Sequence, residues 1–374
     1  MRFPEFHGEW EKCKLGDIAE FSSARVSSAK LDCKNYVSTE NMLQDFQGVI
    51  VAKSVPNETN VISFTCGDIL ISNIRPYLKK VWKATFDGGC SSDVFVLHAT
   101  DTVAKDYLHY AVANDKFINY VMSGAKGVKM PRGDKNQMRT YQLSLPSIQE
   151  QHKIAKILTL LDERIATQSK LIEDLKKLKS AIIEIEYTPD DKNTSHIGNV
   201  IEQISKRNKD NAIQNVLSVS NRQGFIKQSD QFENRNVASE DTSNYKIVEK
   251  NDFAFNPARI NVGSIARQTT FERGIVSPMY ICFRTQENVA PEYIDFFFES
   301  KHFYCEIQKR LEGSVRQCLS FEGLCNIPLS LPSLEMQQRI GKRLFTLGQK
   351  IKTETDLLKL LNKQKQYLLR QMFI

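Results

Sequence analysis

Five cations fall in one stretch, Lys126, Lys129, Arg132, Lys135 and Arg139, opposed only by Asp134 and interleaved with Gly124, Gly127 and Gly133. Lysine and arginine are the side chains that hold phosphates, and glycines let a loop approach another backbone closely. The second half carries Lys309, Arg310 and Arg316 around Gly313. Arg75, Lys79 and Lys80 follow a strand-like run and a proline, Arg259 and Arg267 sit similarly, and Lys206-Arg207-Asn208-Lys209 is a basic turn. Thr39, Asn41, Ser220 and Asn221 are side chains of the kind that hydrogen-bond base edges. The chemistry these residues suit is binding of a polyanion, not bond making. The alternative for each group is a solvated loop.

The sequence carries no recognisable bond-making constellation. Adenine methylation needs an Asn/Asp-Pro-Pro-aromatic loop and a glycine-rich cofactor turn. The nearest stretch, Asn256-Pro257-Ala258-Arg259, lacks the second proline and the aromatic, and no G-x-G occurs. There is no phosphate-binding G-x-x-x-x-G-K-[ST] loop and no G-x-S-x-G elbow. Asp190-Asp191-Lys192 resembles half of a nuclease carboxylate–lysine pair but reads as a turn in a linker. The six histidines show no metal-ligand spacing, and the eight cysteines include no C-x-x-C pair, so they read as reduced structural thiols.

The elements that must position these loops are legible as a duplication. Leu143-Ser144-Leu145-Pro146-Ser147 recurs as Leu329-Ser330-Leu331-Pro332-Ser333, an offset of 186. The register then persists along two helical patterns. Apolar residues at Leu158, Leu161, Ile165, Ile172, Leu175 and Ile182 recur at Leu344, Leu347, Ile351, Leu358, Leu361 and Leu368. Spacings alternating three and four make a heptad seam. Each pattern predicts a helix of roughly 35 residues, about 50 Å long. Polar interruptions are shared too, Gln168 with Glu354 and Lys179 with Lys365; such residues can fix register. Matching seams in one chain predict an antiparallel coiled coil.

The segments before the helices repeat more loosely. Leu15-Gly16-Asp17-Ile18 resembles Ile197-Gly198-Asn199-Val200, Tyr36-Val37-Ser38 resembles Val216-Leu217-Ser218, and Asp68–Ile71 resembles Asp252–Phe255. All these blocks read as strands. Helical patches follow at 106–122 and 291–311, and Thr188–Asn193 reads as a linker. The expected fold is therefore α/β (α+β), with a pseudo-two-fold repeat: a globular unit over 1–146, a central helix over 147–187, a second unit over 188–332 and a distal helix over 333–374.

Composition bounds the rest. At 374 residues, 41% hydrophobic and 25% charged, the chain suits two or three globular domains. No apolar run reaches the 18 or so residues of a membrane span, and the opening residues show no secretory pattern, which predicts a cytoplasmic protein. The net charge is +7, of which +6 sits on 333–374. A basic excess leans towards a polyanionic partner.

At these motifs the chain resembles the specificity (S) subunit of type I restriction–modification systems. The carriers are Leu145-Pro146-Ser147-Ile148-Gln149-Glu150-Gln151-His152-Lys153-Ile154 with Ile157–Asp162, and the copy Leu331–Ile340. Gly67-Asp68-Ile69-Leu70 running to Ile74-Arg75-Pro76-Tyr77-Leu78, and Asn251-Asp252-Phe253 running to Asn256–Arg259, add to it. Met336 stands where the first copy has Glu150, a departure that leaves the seam intact. The resemblance implies two target recognition domains, each reading one part of a bipartite site in double-stranded DNA, with the helices setting the gap. It implies no chemistry by the chain itself. Two methyltransferase (M) subunits would bring S-adenosylmethionine, and restriction (R) subunits would bring ATP and Mg2+. Three other readings remain: the specificity partner of a type IIB enzyme, which shares this layout, a stand-alone sequence-specific DNA-binding protein, and a coiled-coil scaffold without a DNA role. Lengthening both helices by equal whole turns should widen the gap in the recognised site, as mapped by adenine methylation. An unchanged gap would refute the ruler.

Overall fold

The computed structural model describes residues 2–189, 194–221, 223–231, 241–313 and 317–373. The chain forms two compact units. The first comprises residues 1–169 with 357–374, the second 170–356. The unit boundaries fall inside both long helices. Residues 190–193, the core of the predicted linker, lie outside the described residues, as does Arg316.

The first unit opens with Glu11–Lys14, paired antiparallel to Gln142–Leu145, the strand that leads into the first long helix. An antiparallel four-stranded sheet runs in the order Ala19–Phe21, Val94–Ala99, Ile69–Ser72, Val81–Lys83. Its Ile69–Ser72 strand is buried along its whole length. A second sheet runs Arg25–Ser27, Asn60–Phe64, Gly88–Cys90, Tyr36–Val37, the last pair parallel. Gly88 and Gly89 are required in this sheet. A Cβ at Gly88 would stand 2.1 Å from the carbonyl oxygen of Asn35, and one at Gly89 would stand 2.5 Å from the Leu31 side chain. Helices Lys105–Val112 and Asp115–Ser123 realise the patch predicted over 106–122, divided at Asn114, whose side chain accepts a hydrogen bond from Phe117 N at 3.0 Å. Asparagine favours that capping role over the helix interior.

The second unit repeats this plan. Thr194–His196 pairs with Pro328–Ser330. Its antiparallel sheet runs Ile201–Ile204, Ile281–Thr285, Phe253–Phe255, Ile265–Arg267. Helices Pro291–Phe297 and Lys301–Arg310 are divided by Ser300, which caps the second from the position matching Asn114. The remaining sheet runs Gly224–Lys227, Val216–Ser220, Arg273–Val276, Lys246–Glu249. Three strands are equivalent in the two units: a parallel pair flanked by one antiparallel strand. The fourth strand is added on opposite edges. In the first unit it extends the antiparallel flank, and in the second it extends the parallel one.

One expectation about the elements is corrected. Leu15–Ile18 is a single helical turn and Ile197–Asn199 a 3-10 turn, not strands. Lys14 N donates to Asp17 Oδ2 at 2.8 Å, closing the first turn locally before a strand could pair.

Each long helix has 39 residues, Ile148–Glu186 and Leu334–Met372, and both ends differ by the repeat offset of 186. Every seam residue predicted from the heptads is buried or half-buried. Within the first unit, Leu158 is buried in one core with Met372 and packs near Leu368 and Leu369, and Asp162 pairs with Lys365 at 2.6 Å. Within the second, Ile183 and Tyr187 share a core with Ile340 and Leu344, and Glu186 pairs with Arg343 at 3.4 Å. In each unit the helices therefore run antiparallel. Lys179 and Lys365 do more than interrupt the seam. Lys365 lies 5.9 Å from the Tyr110 ring and pairs with Asp162, while Lys179 lies 5.1 Å from the Phe296 ring and pairs with Glu299 at 2.7 Å.

A buried glutamine joins each helix start to its head. Gln151 Nε2 donates to Pro146 O at 2.9 Å, and its Oε1 accepts from Ala104 N at 2.8 Å. Gln337 repeats both bonds, to Pro332 O at 2.8 Å and from Ala290 N at 3.0 Å. Unpaired buried backbone groups cost about 1–3 kcal/mol each. Replacing Gln151 with Ala should therefore destabilise the first unit by about 2–4 kcal/mol. The only tryptophans, Trp10 and Trp82, lie in that unit. The loss should appear as an earlier urea midpoint by tryptophan fluorescence, whereas Gln337→Ala should lower only the circular-dichroism midpoint.

Candidate nucleic-acid interface

In the first unit three loops are fastened into one basic surface. Residues 126 and 132 pair as an antiparallel bridge, Lys126 N to Arg132 O at 3.0 Å and Arg132 N to Lys126 O at 2.9 Å. Gly127 takes φ +93° just inside this hairpin, a conformation that suits glycine. The stem is bonded to the segment after strand Ile69–Ser72: Arg75 N donates to Pro131 O at 2.8 Å, and Gly133 N to Asn73 O at 3.0 Å. The turn that follows is strained. Arg75 and Lys79, at its two ends, both take left-handed backbone, φ 50° and 54°. Non-glycine residues hold that conformation at about 1–3 kcal/mol each, and only where surrounding structure imposes it. Here a third loop does so: Asp45 N donates to Leu78 O at 3.1 Å and Phe46 N to Lys79 O at 2.9 Å.

The predicted cations of this unit are brought together but are not equally available. Arg75 and Lys129 are exposed and have no carboxylate partner among the described residues. Lys126 pairs with Asp134 at 3.3 Å and Arg132 with Asp93 at 3.2 Å, all near the surface. Asp134 lies below the usual carboxylate range because backbone N–H groups of Gln137 and Asn136 bond to it. Lys79 pairs with Asp115 at 2.8 Å. Lys80 donates to Thr39 O at 2.6 Å, and burial, with Arg75 adding repulsion, lowers its pKa. Lys135 sits over the Phe95 ring at 4.8 Å, and Arg139 lies 5.7 Å from Phe21. Thr39 is half-buried beside this group. Asn41 is not a free reader. It is buried, accepts from Ser38 N at 2.6 Å and donates to Tyr36 O and Ile50 O, so its amide is consumed in shaping the loop.

The second unit assembles a related but less basic surface. Asn221 and Gly263 are neighbours, and Ser264 Oγ donates to Val219 O at 3.2 Å, which brings Ser220 and Asn221 beside the turn that Arg259 opens. Leu319 N donates to Pro257 O at 3.1 Å, and Glu312 and Cys318 close a hairpin matching the one at 126–132. Arg259, Lys206 and Arg207 are exposed, the last bonded to Asn244 at 2.8 Å. Arg267 is corrected to a structural role. It is buried, bonded to Asp295 at 3.1 Å, to Asn251 at 3.0 Å and to Glu292. Lys309 and Arg310 both turn to Glu306, whose carboxyl they hold below its ordinary range against the opposing effect of burial.

Counting polar side chains missed the apolar ones at the same loops. Tyr77 on the strained turn, Val128 and Met130 on the first hairpin and Val262 beside Arg259 are exposed. Their signal in the sequence is position alone: apolar residues inside otherwise cationic, glycine-punctuated loops.

A groove of about 920 Å3 in the first unit is lined by residues including Asp45, Lys79, Asp115, Asp162, Asn362 and Lys365, with no histidine or cysteine among its lining side chains. Among the described residues no group of three or more His, Cys, Asp or Glu side chains could hold a metal ion, and no helix is long and apolar enough to cross a membrane.

Comparison with known proteins places this arrangement. The chain is 24% identical over 92% of its length to the type I restriction enzyme MjaVIII specificity subunit of Methanocaldococcus jannaschii, covering 88% of that protein. It is 25% identical to the type I restriction enzyme EcoDI specificity subunit of Escherichia coli, over 41% of this chain and 35% of that one. The crystal structure of the type I restriction–modification S subunit from M. genitalium aligns with all of this chain and 99% of its own, at a TM-score of 0.63 and 15% identity. A chain from a structural study of assembly and conformational transition in the type I system aligns over 98% of both at a TM-score of 0.57 and 16% identity. These structural likenesses carry the fold. The family described as type I restriction modification DNA specificity domain matches residues 7–177 and again 189–363, and the chain belongs to that family, carrying its domain twice.

Proposed function

We propose that this chain is the DNA sequence-specificity subunit of a type I restriction–modification complex. Each unit reads one part of a bipartite target in double-stranded DNA. The two long helices, each beginning in one unit and ending in the other, set the gap between the parts. The chain is non-catalytic and acts in the cytoplasm. Two M subunits bring S-adenosylmethionine and methylate adenine where the two units direct them, and R subunits bring ATP and Mg2+ for cleavage.

The observation that carries this reading is the duplication itself. The same head plan and helix anchor occur twice, and the specificity-domain family matches both copies. A reader of one contiguous site needs one head. Two heads whose loops differ while their supports agree suit a target in two unlike parts. Cations on fixed loops would supply the sequence-independent affinity, and polar side chains beside them the discrimination.

A base-resolution map of methyladenine with and without this gene tests the proposal. A bipartite motif with a constant gap should disappear on deletion. If the wild-type map holds such a motif and deletion leaves it untouched, the chain does not direct the modification.

A further inference from the structure

The hairpin at 126–132 combines features that a solvated loop does not need. Val128 is 103% exposed at its tip and Met130 is 46% exposed. Lys126, Lys129 and Arg132 flank them, with Asp134 and Asp93 the only carboxylate partners among the described residues. The stem is also braced. Two backbone bonds close it, and two more fasten its base to the segment Asn73–Arg75. A braced stem lowers the entropy lost on binding. An apolar tip ringed by cations complements a surface that is anionic at its rim and offers apolar contact inside. The DNA major groove is such a surface. It admits a two-stranded ribbon, its walls are phosphate, and the thymine C5-methyl is the apolar group on its floor.

We propose that the hairpin 126–132 enters the major groove of the target, with Val128 against a thymine methyl and Lys126 and Lys129 against the flanking phosphates. The hairpin is thus a specificity determinant of the first unit, and the inference rests on the DNA-specificity reading above. It is confined to that unit. The matching hairpin begins at Glu312 and ends at Cys318, so it lacks the cations at its stem.

The test uses the full chain in complex with its M subunits and a duplex carrying the mapped target. Deoxyuridine, which lacks only the methyl, replaces each thymine in turn. For the wild type, one replacement should weaken binding about four-fold, the worth of one buried methyl group. Val128→Ala should weaken binding to the unmodified duplex by a similar factor, and the same replacement should then have no further effect. Lys129→Ala should reduce the slope of log affinity against log salt by about 0.9. Val128 is fully exposed, so its variant should melt as the wild type does; the deoxyuridine series on the wild type needs no variant at all. Insensitivity of the wild type to every replacement, a target without thymine, or a Val128→Ala complex with unchanged affinity and unchanged deoxyuridine response would each overturn the proposal. So would a Val128→Ala chain that loses M subunits while the assembled fraction binds DNA normally, which would assign the tip to a protein partner. Absence of any site-specific binding by the wild-type complex would instead overturn the DNA-specificity reading.

Discussion

Two buried side-chain amides tie the architecture together. A long helix that starts against a globular head must leave that head at a fixed angle, and the chain on either side of the junction has backbone groups removed from water. Gln151 and Gln337 each satisfy a proline carbonyl and an alanine N–H, bonding the Pro-Ser lead-in to the N-cap of the neighbouring helix. Tyr107 and Tyr293 reinforce the junction by donating to Ser144 O and Ser330 O from matching positions. Apolar contact at this junction is not directional, and these bonds give it direction.

The far end of each helix is fastened by the same tyrosines. Phe373 packs on Tyr107 with centroids 5.1 Å apart, and Tyr187 packs on Tyr293 at 4.8 Å. Phe373 and Tyr187 are related by the repeat offset, as are the tyrosines they meet. Each head thus receives one helix start and one helix end on a single buried ring. The copies differ in a detail: Tyr187 also donates to Tyr293 O at 2.6 Å, which Phe373 has no hydroxyl to do.

The long helices were the most legible part of the sequence. Their apolar spacing depends only on neighbours three and four residues away, and the second copy confirmed the register of the first. The strands Ile69–Ser72 and Phe253–Phe255 were legible as apolar runs, whereas Leu15–Ile18 was not, because one local bond to Asp17 decides its conformation. In the sequence Lys179 and Lys365 read as register markers, and their carboxylate and aromatic partners are invisible there because they lie on other elements. The interface was legible as a set of loops rather than as side chains. Nothing near Arg267 announces that Glu292 and Asp295 will bury it, and nothing near Asn41 announces that its amide closes the loop on itself. A search for hydrogen-bonding side chains also passes over Val128, whose exposure depends on how residues 126 and 132 pair.

The placement of the fourth strand has a bearing on how such a chain can change over generations. Three strands, one parallel pair and one antiparallel flank, are common to both recognition sheets, and the additional strand is hydrogen-bonded outside them, on one border in the first unit and on the other in the second. A segment attached at a border can be lengthened, replaced or moved to the opposite border without breaking a bond among the three inner strands. Variation in these segments is therefore uncoupled from the glutamine and tyrosine contacts that seat the helices. The part the two units share is the three-stranded frame with its helix anchors, and the border strands are where they differ.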